Sequence, residues 1–211
     1  DYPSGIPLPL EHFPPMATAL SRYARGGYAA MALLSLFAAA RAFADLNSPA
    51  VVAGSATVAT QGSTTTVNQT SARAVINWQD FSIAAGDLMR FVQPDATSAT
   101  LNRVVGTASS SLLGGLEANG RIYLINPNGV LIGAGARIDT AGFLAATLDV
   151  TDADFMRGGD LLFTGDSAAA VQNLGSINAL GGDIFLIARK VENAGTLHAP
   201  QGTAALAAGS E

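Results

Sequence analysis

The sequence predicts an all-β chain wound as a right-handed parallel β-helix of about 20 residues per turn, with an N-terminal β cap. Three observations carry this. Asn173-Leu174-Gly175-Ser176-Ile177-Asn178-Ala179 returns as Asn193-Ala194-Gly195-Thr196-Leu197-His198-Ala199, 20 residues on. The register holds beyond it, Gly182, Ile184, Leu186 and Ala188 matching Gly202, Ala204, Leu206 and Ala208. Each such unit buries its apolar side only by stacking on the next. Charged residues are 13% of the chain and Lys190 is its sole lysine, a composition that does not support long solvated helices. Finally, Gly, Asn and Pro punctuate short runs of Val, Ile, Leu and Thr. A β-sandwich would show hairpin turns and no stacked register.

Residues 1–15 contain five prolines and precede Met16, so they are set apart as a leader outside the fold. Residues 16–44 read as a Sec signal peptide. Arg22 and Arg25 precede the run Tyr28 to Ala40, and Ala42 and Ala44 place small residues where a signal peptidase cleaves, after Ala44. The run has 13 residues, short of the ~20 a membrane-spanning helix needs. Residues 45–211 are then the exported domain. Its first part, Val51 to Val75, is rich in Thr, Ser and Val and is expected before the first turn, where it caps an open sheet edge that would otherwise invite aggregation.

Trp78 and Phe81 stand three apart in a strand-like run and are expected in core packing, the indole N–H bonded nearby. Asn126-Pro127-Asn128-Gly129 is a turn by its chemistry: Pro127 presets φ at the second position, Asn128 tolerates the third, and Gly129 suits the fourth. Ile122 to Ile125 and Val130 to Ile132 flank it as strands. Gly120 to Ile125 matches Gly182 to Ile187 at a displacement of 62, expected to be close to three turns, with Gly142 and Gly159 marking the turns between. Alternation points Ile122, Leu124, Ile184 and Leu186 inward with Leu206, and Tyr123, Ile125, Phe185 and Ile187 outward. Those outward apolar side chains require either a cover of extra strands or a partner. Ala188, Ala205 and Ala208 suit a narrow interior. The repeat is still running at Ala207-Ala208-Gly209-Ser210-Glu211, so the domain is expected to be incomplete at its C-terminal end.

Catalysis has no visible seat. There is no cysteine, and of two histidines His12 falls in the leader while His198 occupies the repeat position of Asn178, so neither a zinc site nor a catalytic triad can be assembled. Asp149, Asp152 and Asp154 lack the glycine and distal glutamate of a calcium loop and read as a solvated loop. Gly133-Ala134-Gly135 lacks the setting of a dinucleotide fingerprint. No cofactor is expected. A net charge of −5 makes nucleic acid and anionic membrane poor partners.

In order and spacing, Val75-Ile76-Asn77-Trp78-Gln79-Asp80-Phe81, Phe91-Val92-Gln93-Pro94, Leu101-Asn102-Arg103-Val104, Ala118 to Gly135 and Gly142 to Leu148 resemble one family from about Val51 onward. It is the filamentous haemagglutinin type of two-partner-secretion domain, also called the haemagglutination activity domain. The resemblance implies a β-helix with strands packed outside it, and no enzyme. It implies export by the Sec machinery to the periplasm, recognition by the POTRA domains of a dedicated outer-membrane transporter, and folding at the cell surface. Asn102-Arg103-Val104 and Asn126-Pro127-Asn128-Gly129 are its secretion motifs, and Trp78, Phe81, Gln93 and Pro94 its structural ones. For Arg103 a structural hydrogen-bonding role and a transporter contact are equally open. The family's name also suggests an alternative, an adhesin module that binds host glycans, which needs an exposed aromatic groove. A polysaccharide lyase or hydrolase needs paired carboxylates in register on neighbouring turns; Asp183 instead faces Thr203, and Arg189 faces Gly209.

Overall fold

The computed structural model describes residues 49–209. The expected leader and signal peptide, with Ala42 and Ala44, lie outside the described residues. Eighteen strands form three sheets, and from β7 onward each turn of the chain contributes one strand to each. The first sheet holds β1 (Ala50–Ala53), β4 (Arg73–Trp78), β6 (Ala99–Val104), β9 (Arg121–Ile125), β12 (Gly142–Ala146), β15 (Ile184–Ala188) and β18 (Ala204–Ala208). The second holds β2 (Ala56–Gln61), β3 (Thr64–Gln69), β5 (Leu88–Val92), β8 (Gly115–Ala118), β11 (Arg137–Thr140), β14 (Ser176–Ala179) and β17 (Thr196–His198). The third holds β7 (Ser110–Leu112), β10 (Val130–Ile132), β13 (Ala170–Asn173) and β16 (Lys190–Asn193). From β3 and β4 onward every neighbouring pair is parallel, as a stacked solenoid requires.

The 20-residue register of the C-terminal turns is present: Ile184 to Ala188 pair with Ala204 to Ala208, and Ser176 to Asn178 with Thr196 to His198. The 62-residue match has another meaning than three turns. Ile122 pairs with Phe143 and Phe143 with Ile184, so the match spans two turns, the second lengthened by an excursion over residues 147–169. Gly159 belongs to that excursion and marks no turn; it is exposed with φ +88°. The cap also differs from expectation. Only β1 and β2 pair antiparallel, β1 on β4 and β2 on β3, while β3 and β4 already belong to the parallel ladders, so the solenoid starts inside Val51 to Val75.

Alternation sorts the side chains as the sequence requires. Ile122, Leu124, Ile184 and Leu186 are fully buried in the central core with Val130, Ile132, Ile138, Phe143, Val171 and Ile177. Leu206 points inward but is 49% exposed, since among the described residues β18 is the last strand of its sheet. Ala205 lies opposite the outward Phe185, so its small size does not reflect the interior.

Outside the solenoid a second cluster joins Val75, Leu101, Ile125, Leu144 and Ala146 to Val150 and Phe155. The cover is thus supplied from within the chain, by a short helix and irregular chain rather than by strands. Within 147–169, helix α1 (Asp152–Arg157) starts at Thr151, whose side chain accepts from the Asp154 N–H, and drives Phe155 against Tyr123 at 5.3 Å between ring centres. One antiparallel bridge, Asp149 to Thr164, closes the excursion at its neck. The residues read as a solvated loop at Asp149 to Asp154 are therefore the neck and first turn of the cover.

Candidate functional site

The motif residues fall into three places, each held by polar groups between stacked turns. At the end of β4, Trp78 and Phe81 are buried and meet edge to face with ring centres 5.1 Å apart. One turn on, the fully buried Asn102 accepts the Trp78 Nε1–H at 3.0 Å and donates from Nδ2 to the Tyr123 carbonyl at 3.3 Å. One amide side chain thus ties three successive strands of the first sheet, and a buried polar group of this kind is tolerated because its partners are satisfied. Val104 beside it is core.

Arg103, between them, points outward. Its Nε–H donates to both carboxylate oxygens of Asp149 at 2.9 and 3.1 Å, Nη1 to Asp152 at 2.5 Å and Nη2 to the Val150 carbonyl at 2.6 Å. Burial of its side chain, 14% exposed, works against the charge, and the hydrogen bonds to Asp152 and Asp149 more than offset this, holding the guanidinium above the ordinary arginine value. In the folded domain the Arg103 guanidinium is therefore engaged with the segment that follows β12.

The second place is the corner between the second and first sheets. The buried Gln93 accepts the Gly120 N–H through Oε1 at 3.0 Å and donates through Nε2 to Thr100 at 3.1 Å; Thr100 in turn donates to the buried Gln69. Asn119 closes the corner by exchanging two 2.7 Å bonds with the Gln93 backbone. Gly120 has no room for a side chain here, since a Cβ would lie 2.6 Å from both Gln93 Oε1 and the Ser98 carbonyl. Pro94 is exposed and follows the corner.

The third place is the Asn126-Pro127-Asn128-Gly129 turn. The Gly129 N–H donates to the Asn126 carbonyl at 3.0 Å, and the Asn128 N–H to Asn126 Oδ1 at 2.9 Å. Asn126 is fully buried and donates Nδ2 to the Ala108 carbonyl and to Ser110 Oγ, both at 3.0 Å, while Asn128 Nδ2 reaches the Gly106 carbonyl at 2.9 Å. The turn is stapled to the turn of chain before it. The positive φ, +109°, falls on Gly129, and Asn128 keeps a negative one. β9 and β10 lie in different sheets, so this is a corner of the solenoid and not a hairpin. His198 is an exposed strand residue.

Two clefts bear on ligand binding. One of about 540 Å³ at the N-terminal end includes Trp78 and Phe81 in its lining, yet these are only 6% and 1% exposed. The other, about 520 Å³, runs beside the cover between Leu148, Phe163 and Ile187, and Phe163 is its one aromatic. Neither is the open aromatic groove that a glycan needs.

A three-sided parallel solenoid with polar-stapled corners and a covered outer face defines a class of β-helical domain. The chain belongs to the TPS secretion domain family, whose model matches residues 42–211. Among its relatives is the Heme/hemopexin-binding protein of Haemophilus influenzae (strain ATCC 51907 / DSM 11121 / KW20 / Rd), 45% identical over 100 residues that make up 47% of this chain and 11% of that protein. A second Haemophilus influenzae protein of that name is 45% identical over 85 residues, 40% of this chain and 9% of its own length. The match therefore spans a small part of these relatives. The crystal structure of the HMW1 secretion domain from Haemophilus influenzae superposes with a TM-score of 0.62 at 35% identity, covering 71% of this chain and 41% of that one. The domain is a secretion-targeting element of a two-partner system, which implies a cognate outer-membrane transporter and an outer-membrane or extracellular destination.

Proposed function

We propose that the domain is read in the periplasm while extended, by the POTRA domains of its transporter after Sec export, and that it then nucleates β-helix folding at the cell surface. The observation that carries this is the parallel pairing of each strand from β3 and β4 onward within the domain's own ladders, which leaves few backbone groups free for another protein once the chain has folded. The extended chain offers a full row of N–H and C=O groups for strand addition, with alternate side chains supplying specificity. Contacts between nearest-neighbour turns allow folding to start at one turn and propagate as chain emerges, without an external energy source. Asn102, Arg103 and Val104, with Asn126, Pro127, Asn128 and Gly129, serve export through this folding: Asn102, Arg103, Asn126 and Asn128 spend their side chains on internal bonds, Val104 is core, and Pro127 and Gly129 shape the corner. Recognition falls to the earlier extended segments.

The test is calorimetric titration of the isolated POTRA domains with the folded chain and with a Leu186→Asp variant that cannot fold. The unfolded variant is expected to bind at least tenfold more tightly. Equal or tighter binding by the folded chain overturns the reading.

A further inference from the structure

A solenoid holds only neighbouring turns together, so the excursion over residues 147–169 has an unusual reach. It leaves the first sheet at the end of β12 and runs back across β9 and β6 to β4. Arg103 on β6 grips its neck through Asp149, Asp152 and the Val150 carbonyl. Arg73 on β4 stands over the Phe155 ring, 5.4 Å from its centre, and sits so close to Gly158 that a Cβ there would lie 2.9 Å from Nη2. Phe155 itself is fully buried against Val75, Leu101 and Tyr123, which come from β4, β6 and β9. All of these contacts join the excursion to strands of earlier turns.

We propose that residues 147–169 form a strap that closes last over four stacked turns, with Arg103 as its latch. The latch is specific to completed stacking. Arg103 lies 46 residues from Asp149 in sequence, and the register that brings them together runs through Arg103–Ile125 and Ile125–Ala146 pairing. A slip of one residue in either ladder would turn Arg103 or the neck to the wrong side. The guanidinium uses its planar fork on two carboxylates and a carbonyl at once, which lysine's point charge cannot reproduce. Closure therefore converts a ladder that can fray turn by turn into a unit in which β4, β6, β9 and β12 open together. On the outer surface of a cell this opposes unravelling from the N-terminal end.

Trp78, the only tryptophan, reports stacking of β4 on β6 through its bond to Asn102, and Phe155 reports strap closure by its protection from chymotrypsin. On dilution from urea the Trp78 fluorescence is expected to recover first, with protection at Phe155 following at least threefold more slowly. Arg103→Gln should leave the fluorescence phase within twofold of the parent and raise equilibrium cleavage after Phe155 by tenfold or more, with Arg103→Lys between. Coincident recovery of both signals in the parent chain, or unchanged Phe155 protection in Arg103→Gln, overturns the proposal. Should Arg103→Gln fail to fold, Asp152→Ala removes one partner at a site whose side chain is 44% exposed. That variant must then show severalfold faster cleavage after Phe155, and unchanged cleavage overturns the latch.

Discussion

Removing the Asn102 side chain tests whether the buried amide of the Asn102-Arg103-Val104 motif acts by holding turns together. Asn102→Ala orphans the Trp78 Nε1–H, now bonded at 3.0 Å inside a core where Trp78 is 6% exposed. A buried donor left without a partner costs about 1–3 kcal/mol. Loss of the 3.3 Å bond to the Tyr123 carbonyl and the small void left behind add about 1 kcal/mol more. The sum is about 3 kcal/mol, which for a domain of this size lowers the melting temperature by roughly 6–12 °C. Trp78 fluorescence through a urea titration reads the effect directly, because the same residue loses its partner. The midpoint should fall with the slope unchanged. An Asn102→Ala protein of parental stability whose unfolded form binds POTRA domains more weakly would refute the reasoning and make Asn102 a recognition residue.

Inward charge should separate the interior of the solenoid from its end: Leu186→Asp, at a fully buried position between stacked turns, is expected to prevent folding, whereas Leu206→Asp, 49% exposed on β18, should shift the thermal midpoint by no more than a few degrees, as circular dichroism would show. Acid should weaken the fold. Hydrogen bonds from Thr97 and Ser98 hold Asp95 below its ordinary value of 3.8, those from Thr151 and Arg157 do the same for Asp154, and Lys190 lowers Glu192. A carboxylate with a lowered folded-state pKa contributes stability that is present above its unfolded value and lost as pH falls through the folded one. The urea midpoint should therefore be level near neutrality and drop below about pH 4, with a small amplitude because all three groups are exposed; a midpoint that rises on acidification contradicts the sign.

The repeat from Asn173 to Ala208, the inward and outward alternation in Gly120 to Ile125, and the chemistry of the Asn126 to Gly129 turn are properties of short stretches of chain. Sequence alone determined them, because alternation and turn preference act over two to four residues. The burial of Trp78 and Phe81 was legible on another ground, the large apolar rings that favour core packing. What lay beyond the sequence was anything requiring the distance between turns. The 62-residue match counted as three turns because spacing in sequence cannot separate a stacked turn from an excursion of similar length; only the pairing of Phe143 with both Ile122 and Ile184 resolves it. Asp149 and Asp152 read as a solvated loop because their partner, Arg103, stands two strands away on another turn. Leu206 carries the pattern of a core residue, but burial depends on a following turn and not on the pattern. Asn102 and Arg103 were singled out together as neighbours, yet one faces the core and the other the strap. Local preference fixed the strands and corners, and stacking geometry decided which of their side chains meet.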